Sequence, residues 1–186
     1  MKSPIKTKPA LVLTVGHSTH PIDEFIEILR AHGVKRIVDV RTIPRSRHNP
    51  QYDESLPESL ENAGIGYNHM AGLGGLRHTL KDSINTGWRN ASFRGYADYM
   101  QTPEFAASLK ELIELAKTEQ IAIMCAEAVP WRCHRSLIGD ALLVRGITVE
   151  DIMSLKSRVP HKMTSFAKLD GTKITYPAIS VEKPSA

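Results

Sequence analysis

Cys133 is the residue whose surroundings best suit nucleophilic chemistry. It precedes a segment with helical periodicity, and its neighbours are cationic or ionisable: Arg132, His134 and Arg135. The backbone donors and dipole of a helix N-terminus, together with nearby cations, favour a thiolate over a thiol. We therefore predict a nucleophile supported by acid, base or orienting groups. The candidate catalytic residues are Cys133, His134, Glu127 and Asp39.

Two other interpretations of these residues stay open. The spacing does not match the Cys-x5-Arg loop of the cysteine phosphatases, counted from either Cys125 or Cys133, and a buried cysteine can be purely structural. Sulfur and imidazole would also suit zinc or iron, although Cys-x7-Cys-His is not a recognised metal motif. The candidate metal ligands are Cys125, Glu127, Cys133 and His134, joined by His17 or His20 from another strand end.

Arginine-rich loops follow two apolar segments that are far apart in the chain, the segments 36–40 and 121–124. Short apolar segments that alternate with helices predict a parallel sheet, whose ligands bind beyond the carboxyl ends of the strands. Guanidinium groups are suited to phosphate or carboxylate, so we predict an anion pocket there. Its predicted ligand-binding residues are His17, Ser18, Arg41, Arg45, Arg47, Cys125, Arg132 and Arg135.

Acidic and aromatic side chains qualify this prediction. Asp39 and Glu127 would repel an anion unless they orient arginines, bind a ribose hydroxyl, act as acid and base, or form structural salt bridges. Aromatic residues in or beside the basic loops could stack a nucleobase or could cover the edge of a core. These aromatic residues are Tyr52, Trp88, Phe93, Tyr96 and Trp131.

The net charge of +4 does not define a basic domain. The positive excess lies in residues 1–9 and 156–186, where lysine predominates, whereas the body is net acidic and uses arginine. Lysine-rich ends could add nonspecific phosphate contacts, but the sequence contains no standard nucleic-acid-binding motif. The charge pattern therefore leaves nucleic acid as one candidate partner.

Composition also bears on the compartment. No apolar segment approaches the roughly 18–20 residues that span a bilayer, so we expect no membrane association. The lysines of residues 1–9 and the apolar stretch 10–15 resemble a secretory signal only faintly, because the stretch is short and lacks a cleavage pattern. Two cysteines do not make a disulfide framework, so we predict a cytoplasmic protein.

Periodicity predicts a single α/β domain over residues 10–155, with a flexible basic N-terminus at 1–9 and a flexible basic tail at 156–186. The expected fold is a three-layer, Rossmann-like arrangement, with a mostly parallel sheet of about five strands and helices on both faces. The predicted strands are 10–15, 36–41, 65–70, 121–125 and 147–152. Helices are predicted to begin at Pro21, after a Ser55/Glu58 capping box, at Thr102–Pro103 and near Arg135, and residues 71–95 to form a long functional or surface loop.

Four motifs in order resemble one bacterial and archaeal family. They are Gly16-His17-Ser18; Asp39-Val40-Arg41 with Pro44, Ser46 and Arg47; Leu73-Gly74-Gly75; and Cys125-Ala126-Glu127 leading to Cys133-His134-Arg135. The family is the domain of unknown function 488, and the resemblance covers roughly residues 11–152. It implies a compact α/β protein but no reaction and no catalytic assignments.

Our hypothesis from the sequence is that the arginine-rich pocket binds a phosphorylated ligand, either a nucleotide or nucleic acid. An extension of this hypothesis is that the protein hydrolyses or transfers that ligand. The alternatives are a non-enzymatic nucleic-acid-associated protein and a metal-binding protein. The sequence identifies no cofactor and no oligomeric state.

Overall fold

The computed structural model describes residues 10–179 of the protein. The predicted flexible N-terminus, 1–9, and the last part of the predicted tail, 180–186, lie outside these residues. The strands are β1 (Leu11–Gly16), β2 (Arg36–Asp39), β3 (Gly66–His69), β4 (Ile121–Cys125), β5 (Thr148–Ser154), β6 (Ser157–Pro160), β7 (Lys168–Asp170) and β8 (Lys173–Thr175). The α-helices are α1 (Ile22–Ala31), α2 (Leu56–Asn62), α3 (Ala91–Tyr99), α4 (Pro103–Thr118) and α5 (Arg135–Leu143).

The main sheet has six strands in the order β3-β2-β4-β1-β5-β6. The first five are parallel, and β6 runs antiparallel to β5. Continuous apolar segments such as β4, which is buried along its whole length, are typical of strands covered on both faces. The predicted mostly parallel α/β fold is confirmed, with one more strand than expected.

Two apolar clusters lie on opposite faces of the sheet and explain why the helices form where they do. Phe25 of α1 and Leu60 of α2 pack in one cluster, whereas Leu109 of α4 and Leu137 of α5 pack in the other. Each helix therefore buries one apolar stripe against the strands. This gives the three-layer, Rossmann-like arrangement that the sequence predicts.

The boundaries of the predicted helices are close to those observed. Thr102 caps α4 by accepting a hydrogen bond from the backbone N–H of Phe105 at 3.3 Å. α2 begins directly after Ser55, although the Ser55 side chain makes no capping hydrogen bond. The helix prediction is therefore confirmed there, whereas the predicted capping box does not form.

The predicted loop over residues 71–95 is wrong in its last part, because α3 begins at Ala91. The Asn90 side chain caps it by accepting hydrogen bonds from the backbone N–H groups of Ser92 and Phe93. The sequence did not predict this helix, because its apolar pattern is short and it contains Gly95. Gly95 is needed because an added Cβ would lie 2.4 Å from the Arg77 carbonyl oxygen.

The segment 156–179 is not the flexible tail that the sequence predicts. Strand β6 extends the main sheet, β7 and β8 form a hairpin, and Tyr176 is fully buried. The Tyr176 hydroxyl donates a hydrogen bond to Asp140 Oδ2 at 2.9 Å. A few well-placed apolar residues, Ile174 and Tyr176, anchor a segment whose many lysines and prolines are typical of disorder.

No helix within residues 10–179 combines the length and the apolar character needed to cross a membrane. The parallel strands all end at one edge of the sheet. Beyond this edge the backbone after β1 approaches the backbone after β4, because the N–H of His17 donates to the Cys125 carbonyl at 2.9 Å and that of Ser18 to Ala126 at 3.0 Å. The predicted site residues that follow these strands are thereby brought together.

Candidate functional site

A cavity of about 360 Å³ opens at the carboxyl ends of β2 and β4. The chain leaves β1 and β2 toward the face of α1 and α2, but it leaves β4 toward the opposite face, where α5 lies. Such a divergence creates the crevice in which ligands of open parallel sheets bind. The cavity is lined by Arg41, Thr42, Ile43, Gly75, Leu76, Ser92, Phe93, Cys125, Ala126, Glu127, Arg132, Cys133 and His134.

Cys133 and His134 form a hydrogen-bonded pair in the wall of this cavity. His134 Nε2 lies 2.9 Å from the carbonyl oxygen of Val40, which can only accept, so Nε2 carries a proton. His134 Nδ1, 3.5 Å from Cys133 Sγ, is then the nitrogen that can take up a proton. A cysteine sulfur, an imidazole and a carbonyl group that orients the imidazole are thereby brought into contact, an arrangement that covalent catalysis can use.

The Cys133 sulfur lies at the N-terminus of α5. It accepts a hydrogen bond from the backbone N–H of Arg135 at 3.5 Å. Burial opposes ionisation, but a hydrogen bond from Cys125 and the charge of Arg135 outweigh it and lower the pKa of Cys133 to about 6. The thiolate therefore predominates at neutral pH.

Cys125, at the end of β4, has the opposite character. Its hydrogen bond with Cys133, followed by burial, raises the pKa of the Cys125 thiol well above its ordinary value. Arg135 Nε lies 3.1 Å from Cys125 Sγ. The pKa values of the two cysteines are thus shifted in opposite directions, and both sulfurs contact the same arginine.

Arg135 holds residues of the site in place and does not line the cavity. Its side chain is 1% exposed, and besides Cys125 it donates to Thr14 Oγ1 at 2.9 Å and to the Glu127 carbonyl oxygen at 2.6 Å. All three of its nitrogen atoms are therefore engaged by the protein. Arg135 is not among the residues that line the cavity, and it connects β1, β4 and α5.

Arg41 does face the cavity, and Asp39 lies behind it. The Asp39 carboxylate is fully buried and accepts hydrogen bonds from Nε and Nη2 of Arg41 and from the Tyr67 hydroxyl. The remaining nitrogen of Arg41, Nη1, is buried without a hydrogen-bond partner within the described chain. Asp39 therefore orients an arginine, with no lone pair turned to a reacting group.

His17 and Ser18 lie beside the cavity and not in its wall. The His17 ring stacks on Tyr52 with the centroids 3.9 Å apart, and its Nδ1 donates to the Ser18 carbonyl oxygen. Burial lowers the pKa of His17 to about 4, so the ring is neutral. Ser18 has a φ of 48°, a conformation that non-glycine residues rarely adopt, at the point where its N–H binds Ala126.

Arg132 and Glu127 line the cavity mouth, and both are exposed. Glu127 Oε1 accepts a hydrogen bond from the backbone N–H of Val129 at 3.0 Å, which fixes the loop after β4. Arg45 and Arg47 are exposed on the loop after β2 and do not line the cavity, and Arg45 lies 3.5 Å from Glu54. The structure thus brings Arg41 and Arg132 together and leaves Arg45 and Arg47 outside.

The approach of this loop to β1 depends on Gly16. A Cβ atom at this position would lie 1.9 Å from the carbonyl oxygen of Glu127. This is the same carbonyl that accepts from Arg135. Glycine is therefore required for the loop to reach the position in which Arg135 holds it.

The metal interpretation finds no ligand set in the part of the chain that the structure describes. Within residues 10–179 no group of three or more His, Cys, Asp or Glu side chains is arranged to hold a metal ion. Glu127 and His134 instead contact the backbone of Val129 and Val40. His17 stacks on Tyr52.

Most of the predicted stacking aromatics are used inside the protein. Trp88 and Phe93 stack on each other at 4.8 Å, and Trp88 also contacts Phe166 and Tyr176. Phe93 additionally presents part of its surface to the cavity. Trp131 differs, because it is 66% exposed beside Arg132.

Sequence reasoning missed several residues that build the site. Tyr67 supports Asp39, and His69 Nε2 donates to the Arg41 carbonyl oxygen at 2.8 Å. Both lie on β3, two residues apart and therefore on the same face, which is a signal that the sequence contained. Gly75 packs so closely on His134 that a Cβ atom there would lie 2.6 Å from the ring.

The comparisons with known proteins identify a family without assigning a reaction. Searches of curated proteins and of solved structures gave no significant match. A family model described as domain of unknown function DUF488 matches residues 21–142, which is more than half of the chain. All the residues that line the cavity lie within this range. The chain therefore belongs to the DUF488 family.

Proposed function

We propose that this cavity binds a phosphorylated ligand and that Cys133 attacks its phosphorus atom, so that the protein is a phosphoryl hydrolase or transferase. The observation that carries the proposal is the free Nη1 of Arg41, a buried guanidinium donor in the same wall as a cysteine–histidine pair. A buried donor without a partner costs free energy that a bound anion would recover. Arg132 supplies a second cation at the mouth.

The proposed reaction proceeds in two displacements. The Cys133 thiolate forms a bond to phosphorus while the bond from phosphorus to the leaving oxygen breaks, and that oxygen takes a proton from water. Burial lowers the pKa of His134, so its imidazole is neutral and is available as the base of the second step. Water or an acceptor hydroxyl then attacks the thiophosphoryl group, His134 takes the proton, and the sulfur leaves as thiolate. Arg41 and Arg132 stabilise the phosphoryl oxygens in both steps.

The remainder of the ligand would contact an apolar surface. Ile43 and Leu76 line the cavity and are more than half exposed, and Phe93 lies deeper. Most of the wall away from the two arginines is therefore apolar. This favours a ligand that joins a phosphate to a flat or apolar group, such as a nucleotide, over inorganic phosphate alone.

We also propose that the protein acts in the cytoplasm. Cys125 and Cys133 are free in the structure, and the thiolate of Cys133 must remain reduced to act as a nucleophile. Reducing compartments keep thiols in this state.

Binding is tested by calorimetric titration of the reduced protein with nucleoside monophosphates and with vanadate. Arg41→Gln and Arg132→Gln should each weaken binding by about tenfold or more, because each loses a charge-assisted hydrogen bond worth roughly 1.5–3 kcal/mol. The matched control is Arg30→Gln, which removes an exposed arginine of α1 that donates a hydrogen bond to the Ala63 carbonyl oxygen. Equal effects of all three substitutions would show that only the overall charge matters.

Turnover is tested with a panel of phosphomonoesters and nucleotides. Cys133→Ser should abolish phosphate release and retain vanadate or nucleotide binding. Full activity of Cys133→Ser would exclude the cysteine mechanism. Binding without turnover in the wild type would reduce the proposal to anion capture.

A second candidate function is the non-enzymatic association with nucleic acid, favoured by the exposed Trp131 beside Arg132. Trp131→Ala should then weaken binding of single-stranded RNA or DNA, with the steep salt dependence typical of phosphate contacts. Truncation after residue 155 is not a usable test, because it removes the buried Tyr176. Substitution of the exposed Lys168 and Lys173 by glutamine tests the basic segment instead.

A further inference from the structure

We propose that Cys133 and Cys125 are a redox-active pair, in which a hydroperoxide oxidises Cys133 and Cys125 resolves the product as an intramolecular disulfide. This activity is independent of the phosphoryl chemistry proposed above, since it needs no phosphorylated ligand. It assigns a role to Cys125, which the two-displacement reaction does not use.

The geometry places the two sulfurs in one hydrogen-bonded group. Arg135 contacts both sulfurs, through Nε to Cys125 Sγ at 3.1 Å and through its backbone N–H to Cys133 Sγ at 3.5 Å. The two thiols also shift each other's pKa in opposite directions. A disulfide needs a sulfur–sulfur distance of about 2.05 Å. Cys133 must therefore move toward Cys125 past the arginine that contacts both sulfurs.

The loop that joins the two cysteines permits this approach. Ala126, Glu127 and Ala128 are exposed, as are Trp131 and Arg132. The Cys133 N–H donates to the Pro130 carbonyl at 3.1 Å, and the Cys133 carbonyl accepts from the N–H and the hydroxyl of Ser136. Because five of the seven residues between the two cysteines are exposed, movement of this loop disturbs few buried side chains.

Access to the thiols is through the cavity. Cys125 and Cys133 are 4% and 5% exposed, yet both line the cavity of about 360 Å³. A small hydroperoxide can therefore reach sulfurs that a bulky reagent contacts less readily. The free Nη1 of Arg41 lies in the same wall and could stabilise the departing oxygen.

The difference between the two sulfurs sets the order of events. Because Cys133 is the thiolate, it attacks the peroxide oxygen, the O–O bond breaks, and the departing alkoxide takes a proton to leave as an alcohol or water. The Cys133 sulfenic acid is then attacked by the Cys125 sulfur. The S–S bond forms, the S–O bond breaks, and the hydroxyl leaves as water with the Cys125 proton. A dithiol reductant restores both thiols by exchange.

The test treats the reduced full-length protein with hydrogen peroxide at a small molar excess and maps tryptic peptides without reduction. Arg132 lies between the two cysteines, so trypsin separates them unless a disulfide joins the peptides. We expect the linked peptides to form and to disappear after treatment with dithiothreitol. Protein in which both thiols remain free, or in which Cys133 proceeds to sulfinic or sulfonic acid while Cys125 stays a thiol, would overturn the proposal.

Two variants determine the role of each cysteine. Cys125→Ser should accumulate a Cys133 sulfenic acid that dimedone labels, whereas Cys133→Ser should lose peroxide reactivity by more than about tenfold, because Cys125 is protonated at neutral pH. Dimedone labelling of Cys125 in Cys133→Ser at the wild-type rate would reverse the assignment. If circular dichroism shows that either variant is unfolded, the wild-type peptide map alone decides.

The two proposals fail in distinguishable ways. Disulfide formation is read from peptide masses without any phosphorylated ligand, and phosphate release is read from the reduced protein. A reduced protein that turns over a phosphomonoester but forms no disulfide retains only the phosphoryl function. If the protein forms the disulfide but releases no phosphate, the redox proposal holds and the phosphoryl proposal fails.

Discussion

Asp39 holds the guanidinium of Arg41 from one side only. Nε of Arg41 lies 2.9 Å from Asp39 Oδ1, and Nη2 lies 2.6 Å from Oδ2. Asp39 is fully buried and Arg41 is 7% exposed, so the pair is shielded from solvent. The arrangement neutralises the buried cation and leaves Nη1 without a hydrogen-bond partner among residues 10–179.

We predict that Asp39→Asn destabilises the protein by roughly 3–5 kcal/mol, because removal of one partner leaves the other charge buried and uncompensated. The double variant Asp39→Asn, Arg41→Met should recover part of this loss, since no unpaired charge remains. Denaturant unfolding of the two variants and of Arg41→Met alone measures the coupling free energy. Additive effects would show that Asp39 and Arg41 do not act as a pair.

Alkylation of Cys133 by iodoacetamide should rise with pH around a midpoint of about 6, the pKa of the buried thiolate. Cys125→Ala should move this midpoint upward, because the hydrogen bond that stabilises the thiolate is lost. The rate profile of peptide-resolved labelling measures both midpoints. A wild-type midpoint near 8.5, the ordinary value for a cysteine, would contradict the assignment.

The His161 imidazole lies between two carboxylates, with Nε2 2.9 Å from Asp140 Oδ1 and Nδ1 3.6 Å from Asp151 Oδ2. Burial disfavours its charge, but the two aspartates outweigh burial and raise the pKa of His161 to about 9. A raised pKa stabilises the folded state fully below the ordinary value of 6.5, and this contribution is lost as the pH rises through about 9. Tyr176, which donates to Asp140, remains neutral over this range, since burial raises its pKa.

We therefore predict that the free energy of unfolding falls between pH 7 and pH 10 by an amount on the order of 3 kcal/mol. His161→Gln should be less stable at pH 7 and should show a flatter profile over this interval. Urea unfolding at a series of pH values provides the measurement. Parallel profiles for the wild type and the variant would rule out His161 as the titrating group.

Tyr176→Ala should cost roughly 3–5 kcal/mol, the loss expected when a buried aromatic side chain is truncated in a core. The control is Leu169→Ala, since Leu169 is 54% exposed in the hairpin formed by β7 and β8 and its truncation should stay within about 0.5 kcal/mol. Thermal and chemical unfolding measure both values. Similar small effects at the two positions would indicate that residues 165–179 contribute little to the fold.

Local patterns in the sequence predicted the elements that carry the site. The buried apolar segments of β1, β2 and β4 predict a parallel sheet, in which Gly16, Asp39 and Cys125 lie at one edge, and the strand pairing confirms this. The cationic surroundings of Cys133 at a helix start were equally local. These features depend on neighbours within a few residues, which the sequence contains directly.

The partners of each side chain depended on tertiary structure. Arg135 and Arg41 both follow a strand or loop of the predicted site in the sequence. The Arg135 side chain donates hydrogen bonds to Cys125, Thr14 and Glu127, whereas Nη1 of Arg41 has no partner within residues 10–179. The burial of Tyr176 against Asp140 likewise joins residues 36 positions apart. Such contacts follow from the strand order and from the faces to which the connections cross, and neither can be read from local periodicity. The sequence by itself therefore determined which chemical groups reach this edge of the sheet, and the packing of the whole chain decided which of them remain free to act.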